Sequence, residues 1–324
     1  MPLSAGPDAG RLTVLPATAW RCLEAAHADR VDALTSGHRA RAARGLAHPV
    51  EDFLFSYYSL RPAQLRRWHP GIGVALADAA QRAGWPFHRR LADGACASDI
   101  AWPDTEPAGR TATVTIDVPA FGQARGTQIA FTSRLLAATS AAPGQFGCFG
   151  LHEWAMVFGQ DGTQRRHLRW PLRLGQRGTD EVVRDHQIRC SHFDAFRFFT
   201  PQARQLNLLQ PDLGSRVEFE QPGCLHASMD VYKWAYKLVP VVPSELLVDC
   251  FELAMAIREL DMRASPYDLS ELGYQPVRIE TPAGKAEYVA AQRSFAESAQ
   301  ALRHRLLAVL TAMKALAAPD ISTV

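Results

Sequence analysis

The chain lacks a Cys-x-x-Cys pair, although it carries six cysteines: Cys22, Cys96, Cys148, Cys190, Cys224 and Cys250. A disulfide framework is therefore not expected, since a chain of this length needs no staples. Charge of one sign is also scarce, with 35 basic against 33 acidic residues and a net of +2. A protein devoted to duplex DNA usually shows a stronger basic excess. No apolar run approaches the roughly 20 residues needed to span a bilayer. The N-terminal Met-Pro-Leu-Ser-Ala-Gly-Pro-Asp has no basic region leading into an apolar core, so no signal peptide is expected. Missing too are the Gly-x-Ser-x-Gly elbow, the Walker loop and the dinucleotide fingerprint. These absences point to a reduced, cytoplasmic protein with no membrane partner, and away from the best-marked hydrolase, nucleotide-binding and dinucleotide-dependent classes.

What is present suits one large folded body. The 324 residues are 47% hydrophobic and 21% charged, enough for a sizeable core. The pattern predicts a mainly α protein, a multi-helix bundle with a small strand element. It reads as a single large domain over 1–324, with a possible weak boundary in a Pro- and Gly-containing loop at 87–110. Ala, Leu, Arg and Glu favour a helix over 17–45, and further helices are expected at 125–142, 150–158 and 225–238. Residues 111–118 alternate Thr, Val and Ile in the manner of a strand. Ser244 is placed to cap a helix to Ala264, with Leu246, Cys250, Leu253, Ile257 and Leu260 as its apolar stripe. Its acids Glu245, Asp249, Glu252 and Glu259 fall on the opposite, solvated face. Pro282 starts a last long helix to Ala317, where its missing N–H costs nothing.

Ligand-type chemistry concentrates in two short stretches, Cys190-Ser-His192-Phe-Asp194 and Cys224-Leu-His226-Ala-Ser-Met-Asp230. Thiols, imidazoles and carboxylates bind transition metals and move protons. On a helix His226 and Asp230, four apart, share a face, and Lys233 in the next turn can reach an anionic group. His192, seven residues after Asp185, would come from a second helix, and Glu153 of Leu151-His152-Glu153-Trp154 from a third. The expected metal ligands are therefore Glu153, His192, His226 and Asp230; no catalytic residue is singled out. The bland alternative is that these groups are satisfied core polar residues that hold helices in register. A zinc reading would combine Cys190, His192, Cys224 and His226, but Cys-x-His diverges by about 200° on a helix and needs extended backbone. Arg263 and Tyr267 could bind a carboxylate of an acidic small-molecule substrate, or Arg263 could simply offset a helix dipole. His69-Pro-Gly-Ile-Gly73, below Arg66 and Arg67, has the form of a DNA-binding hairpin turn or of a glycine turn that starts a helix.

Several stretches together resemble a bacterial family labelled 3-methyladenine DNA glycosylase. They are His48-Pro-Val-Glu-Asp-Phe-Leu-Phe, Arg61-Pro-Ala-Gln-Leu-Arg-Arg-Trp-His69, Gly150-Leu-His-Glu-Trp154, the two Cys/His stretches and Arg263-Ala-Ser-Pro-Tyr267. The resemblance implies hydrolysis of the N-glycosidic bond of an alkylated base flipped out of duplex DNA, with Arg66, Arg67 and the arginines of 39–44 along a groove. The glycosylase catalytic motif cannot be placed here. His226-x-x-x-Asp230 and the Asp185-to-His192 spacing are similar to the haem-oxygenase-like dimetal oxidases. That second likeness implies a non-haem iron, Fe(II), oxidase or oxygenase, although Lys233 stands where a further His is expected. The iron reading leads; zinc and the DNA glycosylase are its alternatives.

Overall fold

Ten of the thirteen residues of Leu225–Lys237 are buried. A helix that is buried nearly all round sits inside the protein, and the rest of the fold is arranged about this one. In the computed structural model the described residues are 12–91, 100–101, 112–160 and 169–317. Among them the strands are β1 (Leu12–Leu15), β2 (Val74–Leu76), β3 (His88–Arg90), β4 (Ile100–Ala101) and β5 (Val114–Ile116). The helices are α1 (Ala17–Ala42), α2 (Phe53–Tyr57), α3 (Pro62–Leu65), α4 (Val118–Ala141), α5 (Leu151–Ala155) and α6 (Gly175–Asp185). Then follow α7 (Phe193–Phe196), α8 (Pro201–Leu206), α9 (Arg216–Phe219), α10 (Leu225–Lys237), α11 (Ser244–Arg263) and α12 (Pro282–Ala317). The architecture is mainly α with a small sheet. The central α10 packs on α11 and α12, and α12 also packs on α4.

The sheet order is β3-β5-β2-β1-β4. β1 pairs in parallel with β2 (Thr13 opposite Val74) and with β4, while β5 runs antiparallel to both β2 and β3. Arg82 ties this sheet to α1. Its guanidinium stands 4.9, 5.3 and 4.6 Å from the rings of Trp20, Trp68 and Trp85, and it pairs with Glu24 at 2.6 Å. Stacking on indoles and a carboxylate partner are what permit a guanidinium to be buried.

Three expectations from the sequence change. The span 87–110 is not wholly loop: it contains β3 and β4, while 92–99 and 102–110 lie outside the described residues. Asp185 and His192 do not share a helix, because α6 ends at Asp185 and His192 has extended backbone ahead of α7. The reason is tertiary: Asn207 accepts from the Cys190 N–H at 2.7 Å and donates to the Cys190 carbonyl at 2.9 Å. That side chain takes the hydrogen bonds a helix would otherwise make. Finally, the turn at Gly71 (φ +82°) and Gly73 (φ +78°) leads into β2 and not into a helix.

Candidate metal centre

Three segments bring the polar groups together. On α11, Leu247, Cys250, Phe251, Ala254, Ile257, Arg258 and Asp261 recur at three- and four-residue steps and are all buried, so Arg258 and Asp261 extend the apolar stripe. The four exposed or half-exposed acids of that helix do face outward, with Asp249 and Glu252 both paired to Arg30. Helix α5 is entered through Phe149 (φ +48°) and Gly150 (φ +72°), and all five of its residues are buried, His152 and Glu153 included. Helix α10 supplies His226 and Asp230 from the middle of the core. Polar groups held there are costly unless they have partners.

The first group is His152, His226 and Asp261. One donor atom from each lies within 4.8 Å of the others. His152 Nε2 is 2.7 Å from Asp261 Oδ1, and Arg258 Nη1 donates to Asp261 Oδ2 at 2.9 Å and to Glu153 Oε1 at 3.1 Å. The His226 ring crosses His152 at 78°, with centroids 4.4 Å apart. Burial disfavours the His152 imidazolium, but the charge and hydrogen bond of Asp261 outweigh it and hold the pKa well above the ordinary value. Asp261 is held low in turn: burial opposes its charge, and His152, His226 and Arg258 prevail. Burial, then the neighbouring His152 charge, pushes His226 down to about 4, which leaves it neutral with a lone pair to give.

A second group adjoins it. His192 stacks on His226 at 5.4 Å and 19°, and His192, Asp194 and Asp230 also offer donors within 4.8 Å of one another. Here a cation of the protein's own is in place. Lys233 Nζ donates to Asp194 Oδ2 at 2.8 Å and to Asp230 Oδ2 at 2.9 Å, and Arg216 adds Asp194 at 2.9 Å and Glu220 at 3.2 Å. The Tyr58 hydroxyl donates to Asp230 Oδ1 at 2.7 Å. His192 is wholly buried, and neither of its ring nitrogens has a hydrogen-bond partner. They lie 3.5 Å from Glu220 and 3.6 Å from Asp230, beyond hydrogen-bond range. Burial pushes His192 down to about 3; burial and the Asp230 charge push Glu220 up to about 7.

The structure thus places the seven residues expected from sequence in different settings. His192 and Asp230 meet, and His226 stacks on His192 while grouping with His152 and Asp261. Glu153 is tied to Arg258. Lys233 reaches the site but is held between two carboxylates, so it is not available to a substrate anion. Arg263 lies at the surface, donating to the Gln275 carbonyl at 2.9 Å and pairing with Glu287 at 3.3 Å. Tyr267 is buried in a separate apolar cluster with Trp170, Leu172 and Met262. Cys190, His192, Cys224 and His226 do not close on a point: among the described residues, neither three-donor group includes a cysteine. The arginines proposed for a DNA groove are largely engaged. Arg66 and Arg39 pair with Asp32, and Arg41 with Glu51 and Asp52.

Comparison with protein-family models, curated proteins and solved structures finds no match. The site's own chemistry must carry the reading. Asp261 and His152 are the residues that sequence reasoning passed over as ligands. The signal for Asp261 was an acid in step with the apolar stripe of α11. His152 has one nitrogen toward Asp261 and the other, Nδ1, 3.8 Å from Cys148 Sγ. It also lines a narrow crevice of about 10 Å³, with Arg189, Gln221, Tyr288 and Gln292 among the walls. Buried His/Asp groups able to bind a metal are therefore present. Among the described residues no helix is long and apolar enough to cross a membrane.

Proposed function

We propose that the protein is a metal-dependent enzyme, a non-haem iron oxidase or oxygenase of a small polar or acidic metabolite, with His152, His226 and Asp261 holding the metal. One observation carries this reading: two imidazoles and one carboxylate, from three separate helices, offer donors within 4.8 Å of one another. Two histidines and one carboxylate form the donor set that suits non-haem Fe(II) and leaves positions open. The donor types suit the ion, but Asp261 is already paired with Arg258 and with the His152 imidazolium, so a metal bound there would take the place of the His152 proton. Bound there, ferrous iron would supply redox chemistry with dioxygen.

The surrounding residues have definable work. Arg258, bridging Asp261 and Glu153, fixes the carboxylate so that Oδ1 faces His152. His192 backs the His226 ring and limits its rotation. The crevice beside His152 is about 10 Å³, about the room one water needs, so a substrate would have to displace its walls. Arg189, exposed on its wall, takes the role expected of Lys233 and Arg263, since a guanidinium binds a carboxylate through two parallel hydrogen bonds.

The test is metal content by inductively coupled plasma mass spectrometry on protein purified without chelator, and on His226→Ala and Asp261→Asn variants. About one iron per chain, lost in both variants, is the expected result. Folded wild-type protein that takes up no iron after anaerobic loading would sink the reading. Zinc in the same place would keep the site and remove the oxidase.

A further inference from the structure

Five apolar side chains meet where α1, α2 and α11 come together: Leu34, Val50, Leu54, Met255 and the ring of Tyr274. Between them lies an open groove of about 320 Å³. That is the size of a small-ligand pocket and far larger than the crevice beside His152. The groove's charged walls are Glu51, Glu252 and Glu259, and no lining residue is cationic. We propose that this groove binds a hydrophobic primary amine, an aryl- or branched-alkyl ammonium ion, apart from the His152, His226 and Asp261 group.

Local chemistry sets each wall. His48 Nδ1 accepts from the Val50 and Glu51 N–H groups at 3.3 and 3.1 Å, which fixes the turn that presents both residues ahead of α2. Gly37 of α1 leaves room for the Glu51 carboxylate, since a Cβ there would stand 3.0 Å from Oε2. On α11, Glu252, Met255, Ala256 and Glu259 share one face by helical spacing, turned away from the buried Asp261. Gly273 (φ +83°) ends the short turn before Tyr274. The Tyr274 ring then stands edge-on to His48, with centroids 5.9 Å apart.

Charge complementarity selects the occupant. Each carboxylate has an arginine nearby, but their acceptors are not all used. Glu252 gives both oxygens to Arg30, at 3.0 and 2.8 Å. Arg41 takes only Oε2 of Glu51, at 2.7 Å, and divides its charge with Asp52. Arg263 stands 3.7 Å from Glu259 Oε1, beyond hydrogen-bond range. Glu51 Oε1 and the Glu259 carboxylate thus keep acceptor capacity. Burial, then the charges of Glu51 and Glu259, raises the pKa of Tyr274, so both acids act on one ring. An ammonium group placed there donates to the two carboxylates and meets the aromatic face, and both interactions favour a cation. Its apolar tail covers Leu34, Leu54 and Met255. The same carboxylates repel an anion and add nothing for a neutral ligand.

Isothermal titration calorimetry of the full-length protein with phenethylamine tests the assignment. The expected result is saturable binding at a single site. Phenethyl alcohol lacks the charge, phenylalanine adds a carboxylate and methylammonium lacks the ring; each should bind at least about tenfold more weakly. The double variant Glu51→Gln, Glu259→Gln should also lose at least about tenfold in affinity. Both side chains are substantially exposed, at 38% and 50%, so this variant keeps its fold, which a thermal melt verifies. Ala256→Phe, at an exposed position, fills the groove without changing any charge and should abolish binding. Methionine-methyl NMR locates the site: the Met255 resonance, identified by its loss in Met255→Leu, shifts with phenethylamine in wild type and stays still in Ala256→Phe. Anaerobic loading with ferrous iron leaves the amine affinity unchanged, which separates this groove from the iron site. No saturable binding in wild type, equal affinity for phenethyl alcohol, or undiminished binding in the double variant overturns the proposal.

Discussion

His152 Nε2 and Asp261 Oδ1 lie 2.7 Å apart with both side chains buried, although 109 residues separate them in the chain. This pair joins α5 to α11, and Arg258 takes the second carboxylate oxygen. Asp261→Asn removes the one negative charge that both cations share. Removing one partner of a buried pair typically costs about 3–5 kcal/mol. Urea unfolding of metal-free protein is expected to show a loss of that order; a change within the error of wild type would mean the pair contributes nothing.

Lys233 holds Asp194 and Asp230 at 2.8 and 2.9 Å in the core. Lys233→Met leaves two close carboxylates with Arg216 near both and Arg197 3.7 Å from Asp194. We expect a destabilisation of about 3 kcal/mol or more, read as a lower urea midpoint at unchanged slope. A substrate role for Lys233 would instead leave stability intact and alter only activity.

Arg263 sits at the surface, with its side chain 29% exposed and its acidic partners about half exposed. Exposed pairs contribute about 0–1 kcal/mol. Arg263→Ala should therefore lower stability by less than about 1 kcal/mol and leave metal content unchanged. Loss of bound metal in this variant would contradict the placement of the site.

His69 is buried beside the sheet, and burial, aided by His88, Arg82 and Arg67, pushes its pKa down to about 3. The unfolded chain binds this proton below about pH 6.5, but the folded protein refuses it until about pH 3. Between those values the unfolded state holds more protons, so stability falls as pH falls, by about 1.4 kcal/mol per pH unit for one full proton. Above pH 6.5 the residue contributes no slope. Unfolding free energies measured from pH 4 to 7 should show a shallower acid slope for a folded His69→Gln variant than for wild type; an identical slope would assign the acid sensitivity to other groups.

Gly223 faces the Gln145 carbonyl with no room for a Cβ. Gly223→Ala must move the 144–147 turn away from the start of α10. The expected outcome is a loss of stability of about 1–3 kcal/mol, as for overpacking elsewhere, checked by thermal unfolding. A wild-type melting temperature would show that the turn yields at no cost.

The long helices were legible in the chain because their causes are local. Alanine and leucine propensity marks α1, a regular apolar stripe marks α11, and Pro282 marks the start of α12. The richness of the Cys190 and Cys224 stretches in ligand-type groups was legible too, and those groups do enter the core. What the chain could not disclose was pairing at a distance. His152 gains its meaning from Asp261, and Lys233 loses its availability because Asp194 arrives beside it from α7. Asp261 looked like one more acid on a helix until its place on the buried stripe set it against His152. Composition and periodicity determine which face of each helix is apolar. Only the packing of α5, α10 and α11 around that shared core decides which buried charges must neutralise each other, because the cost of leaving one alone arises only once water has been excluded.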